Sequence, residues 1–198
     1  MSEICTVVDI ETTGLDHETD HITEIAAIRT DGIREIGRFH TLVRLPDGVV
    51  IPPEITELTG IKGEDLTGGM CEWDALSALD YFAFGTTIVA HNAPFDLAFI
   101  SRVFTTTRFV CTRALSKLVE PKESASLKDA CSRHGIELNG HHRAMNDVEA
   151  TVKVFEVLQS MAEVRRVLYR NVVIDSDERP LRYVPPHAIV RTMRKEAK

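Results

Sequence analysis

Residues 4–10 form an apolar, β-branched run, the pattern of a buried strand. A second strand pattern covers 22–30. Asp31-Gly32 behind it signals a two-residue hairpin turn, returning the chain along 33–43. Pro46-Asp47-Gly48 makes a turn, and Pro52-Pro53 leads into a short helix that Thr59-Gly60 stops. Residues 65–69 read as loop. Helical periodicity covers 72–84, a short buried strand 86–90, and Pro94 suits the first turn of a helix reaching about residue 103. A brief strand at 109–111 precedes helices over 113–119 and 126–134, the second stopped by Gly135. From about 143 to 164 a long amphipathic helix offers Val148, Thr151, Val152, Phe155, Val157 and Leu158 to a core. Strands first, then alternating strands and helices, predict an α/β domain with a central mixed sheet flanked by helices.

The pattern changes after Tyr169. Residues 172–174 and 181–184 read as two strands around an Asp175-Ser176-Asp177 turn, an added hairpin before Pro185-Pro186, and 191–198 as a basic, frayed end. The chain is therefore expected to divide into a domain over 1–164 and a basic C-terminal extension over 165–198. The extension holds nine Lys and Arg against four Asp and Glu, a net of +5. The first 164 residues hold 14 against 26, which leaves −12 there and −7 on the whole chain.

A chain of 198 residues can bury one full core. No apolar run approaches the roughly 18 residues of a membrane helix, and no leader-type segment opens the chain. Cys5, Cys71, Cys111 and Cys131 form no C-x-x-C pair, so reduced thiols in a cytoplasmic protein are expected. The acidic balance argues against broad, passive nucleic-acid binding. It leaves room for a nuclease, because bound metal supplies positive charge where the phosphate sits.

The candidate chemistry lies in three stretches. T-V-V-D-I-E-T-T-G-L carries Asp9 and Glu11, V-A-H-N-A-P-F-D carries Asp96, and H-H-R-A-M-N-D carries His142 and Asp147. Strand alternation puts Asp9 and Glu11 on one face. Asp96 falls one turn into the helix that Pro94 opens, just past a strand end, where α/β sheets build their sites. Gly140 delays the last helix, so His142 lies in the loop before it and Asp147 on the helix itself. Carboxylates among apolar neighbours are costly unless paired, and no run of Lys or Arg lies near them. Oxygen ligands of this kind suit a hard divalent cation such as Mg²⁺ or Mn²⁺. Several acidic groups with a histidine are the ingredients of two-metal phosphoryl hydrolysis, in which an imidazole takes a proton from water. On chemistry alone, His141 and His142 are equal candidates for that base.

Taken in order, these motifs resemble the DEDD family of 3′→5′ exonucleases, in the branch whose third motif carries a histidine. D-I-E-T-T-G-L looks like its first motif, H-N-A-P-F-D-L-A-F-I its second and H-R-A-M-N-D-V-E-A-T its third. The likeness covers roughly residues 4–162, and L-T-G-I-K at 58–62 matches a further segment. It is nearest to the proofreading exonucleases of bacterial DNA polymerase III. The resemblance implies a ribonuclease H-like fold. It implies that Asp9, Glu11, Asp96 and Asp147 hold two Mg²⁺ or Mn²⁺ ions, and that His142 is the general base. It places Thr12, Gly14 and Leu15 around the terminal nucleotide, with Leu15 as an apolar wedge. Glu54 and Thr59 would lie beside the terminal sugar and nucleotide, and Asn92 and Phe95 along the path of the strand. The implied substrate is a single-stranded 3′ end, DNA favoured over RNA, with nucleoside 5′-monophosphates as products and a DNA polymerase as partner. An exoribonuclease of the same branch is the alternative, and a non-catalytic binding module a more distant one. No glutamine-led clamp-binding motif is present, and the last 35 or so residues match no segment of the family. Aromatic content of 6% predicts apolar wedges and few-nucleotide contacts in place of a long stacking platform.

Overall fold

In the computed structural model, which describes residues 3–193, the N-terminal apolar run forms β1 (Cys5–Thr12). β2 (Ile22–Thr30) and β3 (Glu35–Arg44) follow as antiparallel neighbours. The chain then passes through α1 (Pro53–Thr59), β4 (Met70–Cys71), α2 (Glu72–Ala83), β5 (Thr87–Ala90) and α3 (Ala93–Ile100). β6 (Phe109–Cys111), α4 (Thr112–Val119), α5 (Leu127–His134) and α6 (Ala144–Arg165) complete the central part. The sheet order is β4-β3-β2-β1-β5-β6, with β1, β5 and β6 mutually parallel. This is the expected mixed sheet with helices on both faces.

Alternation along the central strands divides the core into two layers. Val8 and Ile10 of β1 face α2 and α3, packing with Leu76, Leu79, Leu97 and Phe99. Cys5 and Val7 point the other way, toward α6 and its Val148, Val154 and Leu158. Asp9 and Glu11 are in phase with Val7, so they enter the α6 layer. Gly135 ends α5 in the left-handed conformation and Ser126 caps its start, accepting from the Asp129 amide. On α6, Val152 and Val157 are only partly covered, while Ala150 and Val154 are buried.

Four expectations need correction. The β2–β3 connection spans residues 31–34, because the Asp31 carboxylate accepts from the Ile33 and Arg34 amides and builds a wider turn. A 3₁₀ turn, Gly63–Leu66, overlaps the expected loop. β4 is two residues long, too short to leave a periodic trace, and pairs in parallel with β3.

The largest correction concerns the C-terminal segment. β7 (Val172–Ser176) pairs in parallel with β8 (Ile189–Met193), so no hairpin forms and 181–184 is not a strand. A parallel pair needs a crossover, here residues 177–188, in which Leu181 and Tyr183 pack against the first core layer. Within the basic end, 191–193 belong to β8; 194–198 lie outside the described residues. This segment is joined to the sheet: Asn171 donates through its amide to the Phe109 carbonyl and accepts the Phe109 amide on its side chain. Val172 and Val173 are 1% and 0% exposed. Val173→Ala is therefore expected to lower unfolding free energy by about 2–3 kcal/mol, read by urea denaturation. Removing everything after Ala162 should abolish the cooperative transition.

Candidate active site

Three elements converge at the carboxyl ends of the parallel strands. β1 delivers Asp9 and Glu11, with a register irregularity between Glu11 and Thr12 where the strand leaves the sheet. α3, opened by Pro94, carries Asp96 in its first turn, and α6 carries Asp147 in its own. Carboxylate oxygens of Asp9, Glu11 and Asp147 all lie within 4.8 Å of one another. Asp96 is 3% exposed and close enough for its charge to act on both Asp9 and Asp147.

The electrostatics follow from burial without neutralisation. Burial lifts Asp9 well above the usual carboxylate range, and the charges of Asp96, Glu11 and Asp147 add to it. Glu11 is pushed up to about 8, by burial first and then by Asp147 and Glu24. Asp96 is pushed up to about 8 by burial, against the opposing backbone amides of Asp96 and Ile10. Asp9 is half-buried by its surface exposure, while Asp96 is buried. Hard oxygen donors that repel each other in a low-dielectric cleft fit a divalent cation, which would offset both penalties.

Glu24 behaves oppositely. It sits across from Glu11 in the β1–β2 pair and is 1% exposed. Burial raises it, but Arg143, His40 and the Ala144 amide together hold it below the usual range. Arg143 Nη2 donates to Oε1 at 3.0 Å and the Ala144 amide to Oε2 at 3.0 Å. Arg143, the N-cap of α6, has no side-chain cap bond, so a β2 carboxylate caps this helix and fixes where Asp147 begins. Sequence reasoning missed Glu24; the signal was an acid inside the mostly apolar strand I-T-E-I-A-A-I.

The loop before α6 brings both histidines to Asp147. His141 Nδ1 donates to Asp147 Oδ1 at 2.8 Å, and the His142 amide donates to Oδ2 at 3.2 Å. The two rings stack at 3.8 Å. His142 holds the left-handed conformation at φ 68°, which is strained for a residue other than glycine. Burial, then His141, lowers its pKa. Gly140 precedes the pair at φ 61°, and a Cβ there would sit 2.7 Å from the Asn146 amide nitrogen.

Of the remaining expected residues, Leu15, Asn92 and Phe95 line one cavity. Thr12 is buried and donates to the Gly14 carbonyl at 2.5 Å. A Cβ on Gly14 would meet Asp20 Oδ2 at 2.4 Å, so any larger residue there would displace the Asp20 side chain. Thr59 is buried with its hydroxyl engaged by the Ile55 carbonyl and the Ile61 amide, and Glu54 is exposed. Neither lines the cavity that holds Leu15, Asn92 and Phe95.

A mixed sheet with helices on both faces and carboxylates clustered at its strand ends is a ribonuclease H-like architecture with a candidate divalent-metal centre. A family model described as exonuclease matches residues 6–155. The chain belongs to this RNase_T exonuclease family. It is 32% identical over 157 residues to DNA polymerase III subunit epsilon of Aquifex aeolicus, covering 75% of this chain and 77% of that one. It is 33% identical over 156 residues to the PolC-type DNA polymerase III of Thermotoga maritima, covering 75% of this chain but 11% of that polymerase. The fold matches a zinc-bound E. coli exonuclease I–single-stranded DNA complex with a TM-score of 0.71 and 21% identity, over 83% of this chain and 42% of that one.

These charges make stability depend on pH. Asp9, Glu11 and Asp96 bind protons more readily folded than unfolded, so metal-free stability should fall as pH rises from about 4 to 8. Thermal melts should show that decline, and added Mn²⁺ should raise Tm more at the alkaline end. Glu24→Ala, which strips the amide cap from α6, is expected to cost about 1–3 kcal/mol by urea unfolding.

Proposed function

We propose that this chain is a 3′→5′ exodeoxyribonuclease acting on single-stranded 3′ ends and releasing nucleoside 5′-monophosphates. The observation that carries this reading is the close set of Asp9, Glu11 and Asp147 oxygens, flanked by buried Asp96, in a member of an exonuclease family. Asp9, Glu11, Asp96 and Asp147 would hold two divalent ions, with Mg²⁺ or Mn²⁺ favoured by the oxygen donors. When bound, such ions lower the pKa of water and stabilise the leaving oxygen. Single-stranded DNA as substrate and a DNA polymerase as partner accord with the exonuclease I complex and the polymerase III relatives. The cytoplasm is the compartment that fits such a partner, and none of the four cysteines is paired. Among the described residues, no helix is long and apolar enough to cross a membrane.

His142 is the base in this reading. Its ring makes no hydrogen bond among the described residues, and its lowered pKa keeps a lone pair available at neutral pH. His141 instead engages both Asp147 oxygens, at 2.8 and 3.0 Å, and so competes with a cation for them. Leu15 and Phe95 would contact the terminal bases, with Asn92 beside the strand and Thr12 and Gly14 shaping the loop beneath them. Glu54 and Thr59 would border the terminal sugar.

The deciding assay digests 5′-labelled DNA and RNA, single- and double-stranded, with Mg²⁺, Mn²⁺ or chelator. A descending ladder on single-stranded DNA that needs metal is expected; shortening from the labelled end, or hydrolysis that survives chelator, would refute the reading. His142→Ala should lose about 10²–10⁴-fold in kcat while retaining metal affinity. His141→Ala should keep most turnover and bind metal at least as tightly.

A further inference from the structure

Helix α2 buries one face and leaves the other bare. Ala75, Leu76, Leu79 and Ala83 pack into the first core layer. On the opposite side Trp73, Tyr81 and Phe84 are 64%, 87% and 78% exposed, and Met70, just before the helix, is 38% exposed. Scattered apolar residues on a surface need no explanation, but large ones in a single row mark a contact. Trp73 and Tyr81 stand four residues either side of Ser77. Each therefore lies about 40° from it around the helix and about 6 Å along it. Trp73 is also the only tryptophan of the chain, so its fluorescence reports this surface alone.

The order of this row is symmetric. Met70 and Phe84 are each seven residues from Ser77, as Trp73 and Tyr81 are each four. A twofold contact uses one patch twice, so that residue i meets j and j meets i. Two α2 helices laid antiparallel and crossing at Ser77 set Trp73 of one copy against Tyr81 of the other, and Met70 against Phe84. Ser77 and Ala78 are small, which lets the two backbones approach at the crossing. The charges favour the same direction. Glu72 and Asp74 open the helix, while Arg29 donates to the Phe82 and Phe84 carbonyls at its end. Antiparallel pairing lays the acidic end of one copy over the Arg29 end of the other and opposes the helix dipoles; parallel pairing would set acid beside acid. At these exposures, with about 150–250 Å² for each buried aromatic side chain, the row would cover about 500 Å² per copy. The total of ~1,000 Å² reaches the lower bound of a specific interface.

We infer that α2 is the contact of a twofold homodimer, in which a second copy of this chain covers Met70, Trp73, Tyr81 and Phe84. A different protein would need no symmetry about Ser77 in the surface it meets; a second copy does. The contact leaves both acidic clusters open. Glu72 accepts from the Ile22 amide and from Arg102, so α2 starts near the end of the sheet where the carboxylates gather. Its far end runs through Gly85 to the foot of β5. The twofold turns one copy end over end, and the two clusters point to opposite ends of the dimer. Nothing in this contact depends on the chemistry performed at the clusters.

Sedimentation velocity of the full chain from about 1 µM to 1 mM tests this. A monomer–dimer equilibrium with a Kd of about 1–100 µM is expected for so small an interface. Trp73 fluorescence should shift to the blue over the same concentrations. Tyr81→Glu and Phe84→Glu should each weaken the dimer about tenfold or more, with Tm unchanged because both side chains are exposed. Ser77→Cys gives a second reading. At the twofold the two thiols meet, so oxidised glutathione should yield a disulfide-linked dimer. The unaltered chain, and Ser160→Cys on the exposed side of α6, should stay uncross-linked at the same concentration. A chain still monomeric at about 1 mM overturns the inference and leaves the row to a helix of another protein. A dimer that survives Tyr81→Glu and Phe84→Glu overturns it as well and puts the contact elsewhere. Cross-linking of Ser77→Cys no faster than that of Ser160→Cys would rule out the crossing at Ser77.

Discussion

The constraint on which this molecule depends is the confinement of like charges at the end of one strand. Asp9 and Glu11 are in phase with Val7, so any register that buries Val7 under α6 also drives both carboxylates under it. The sheet cannot place its core correctly and leave the acids in water. Asp147, fixed on α6, and Asp96, fixed on α3, are brought in by the same packing. Hydrophobic burial thus provides the free energy that holds mutually repelling groups together, and the upward shifts of Glu11 and Asp96 record that opposition.

Glu24 shows that depth alone does not decide the outcome. It is 1% exposed against 9% for Glu11, its cross-strand partner, yet its pKa moves down. The difference is a guanidinium and a helix amide within hydrogen-bond reach. Two adjacent acids therefore have separate tasks. One is neutralised and clamps the start of α6, and the other stays in the acidic cluster with Asp9 and Asp147. Arg143 contributes to this division, because its hydrogen bonds go to Glu24, while Glu11 feels only its field, against burial and three acids.

The features read correctly from sequence are those set by local periodicity. The face shared by Asp9 and Glu11, the Pro94 helix carrying Asp96, and the loop position of His142 before Asp147 all follow from two- or 3.6-residue repeats and from Gly and Pro punctuation. Features set by distant partners were not readable. Glu24 looks like any polar residue of a strand until Arg143, 119 positions away, arrives. The hydrogen bond between His141 and Asp147 depends on a left-handed turn at His142 that no propensity predicts. The C-terminal hairpin failed for a related reason. Asp175-Ser176-Asp177 has turn chemistry, but Leu181 and Tyr183 pack on the first core layer in place of a local strand, and β7 finds its partner after twelve intervening residues.

That failure changes how the C-terminal segment must be regarded. A solvated tail could bind nucleic acid or a partner without consequence for the fold. This segment cannot, because Val173 is part of the same core layer as Phe99 and Phe109. Phe99 lies on α3 three residues after Asp96, and the cavity that Phe95 lines sits between α3 and the crossover. A disturbance of the crossover would therefore pass through one packed layer to the helix carrying Asp96. Close-packed interiors transmit such displacements, since they have no slack to absorb them. The path of the crossover and the placement of Asp96 in the cluster are thus coupled by packing through Phe99 and Val173.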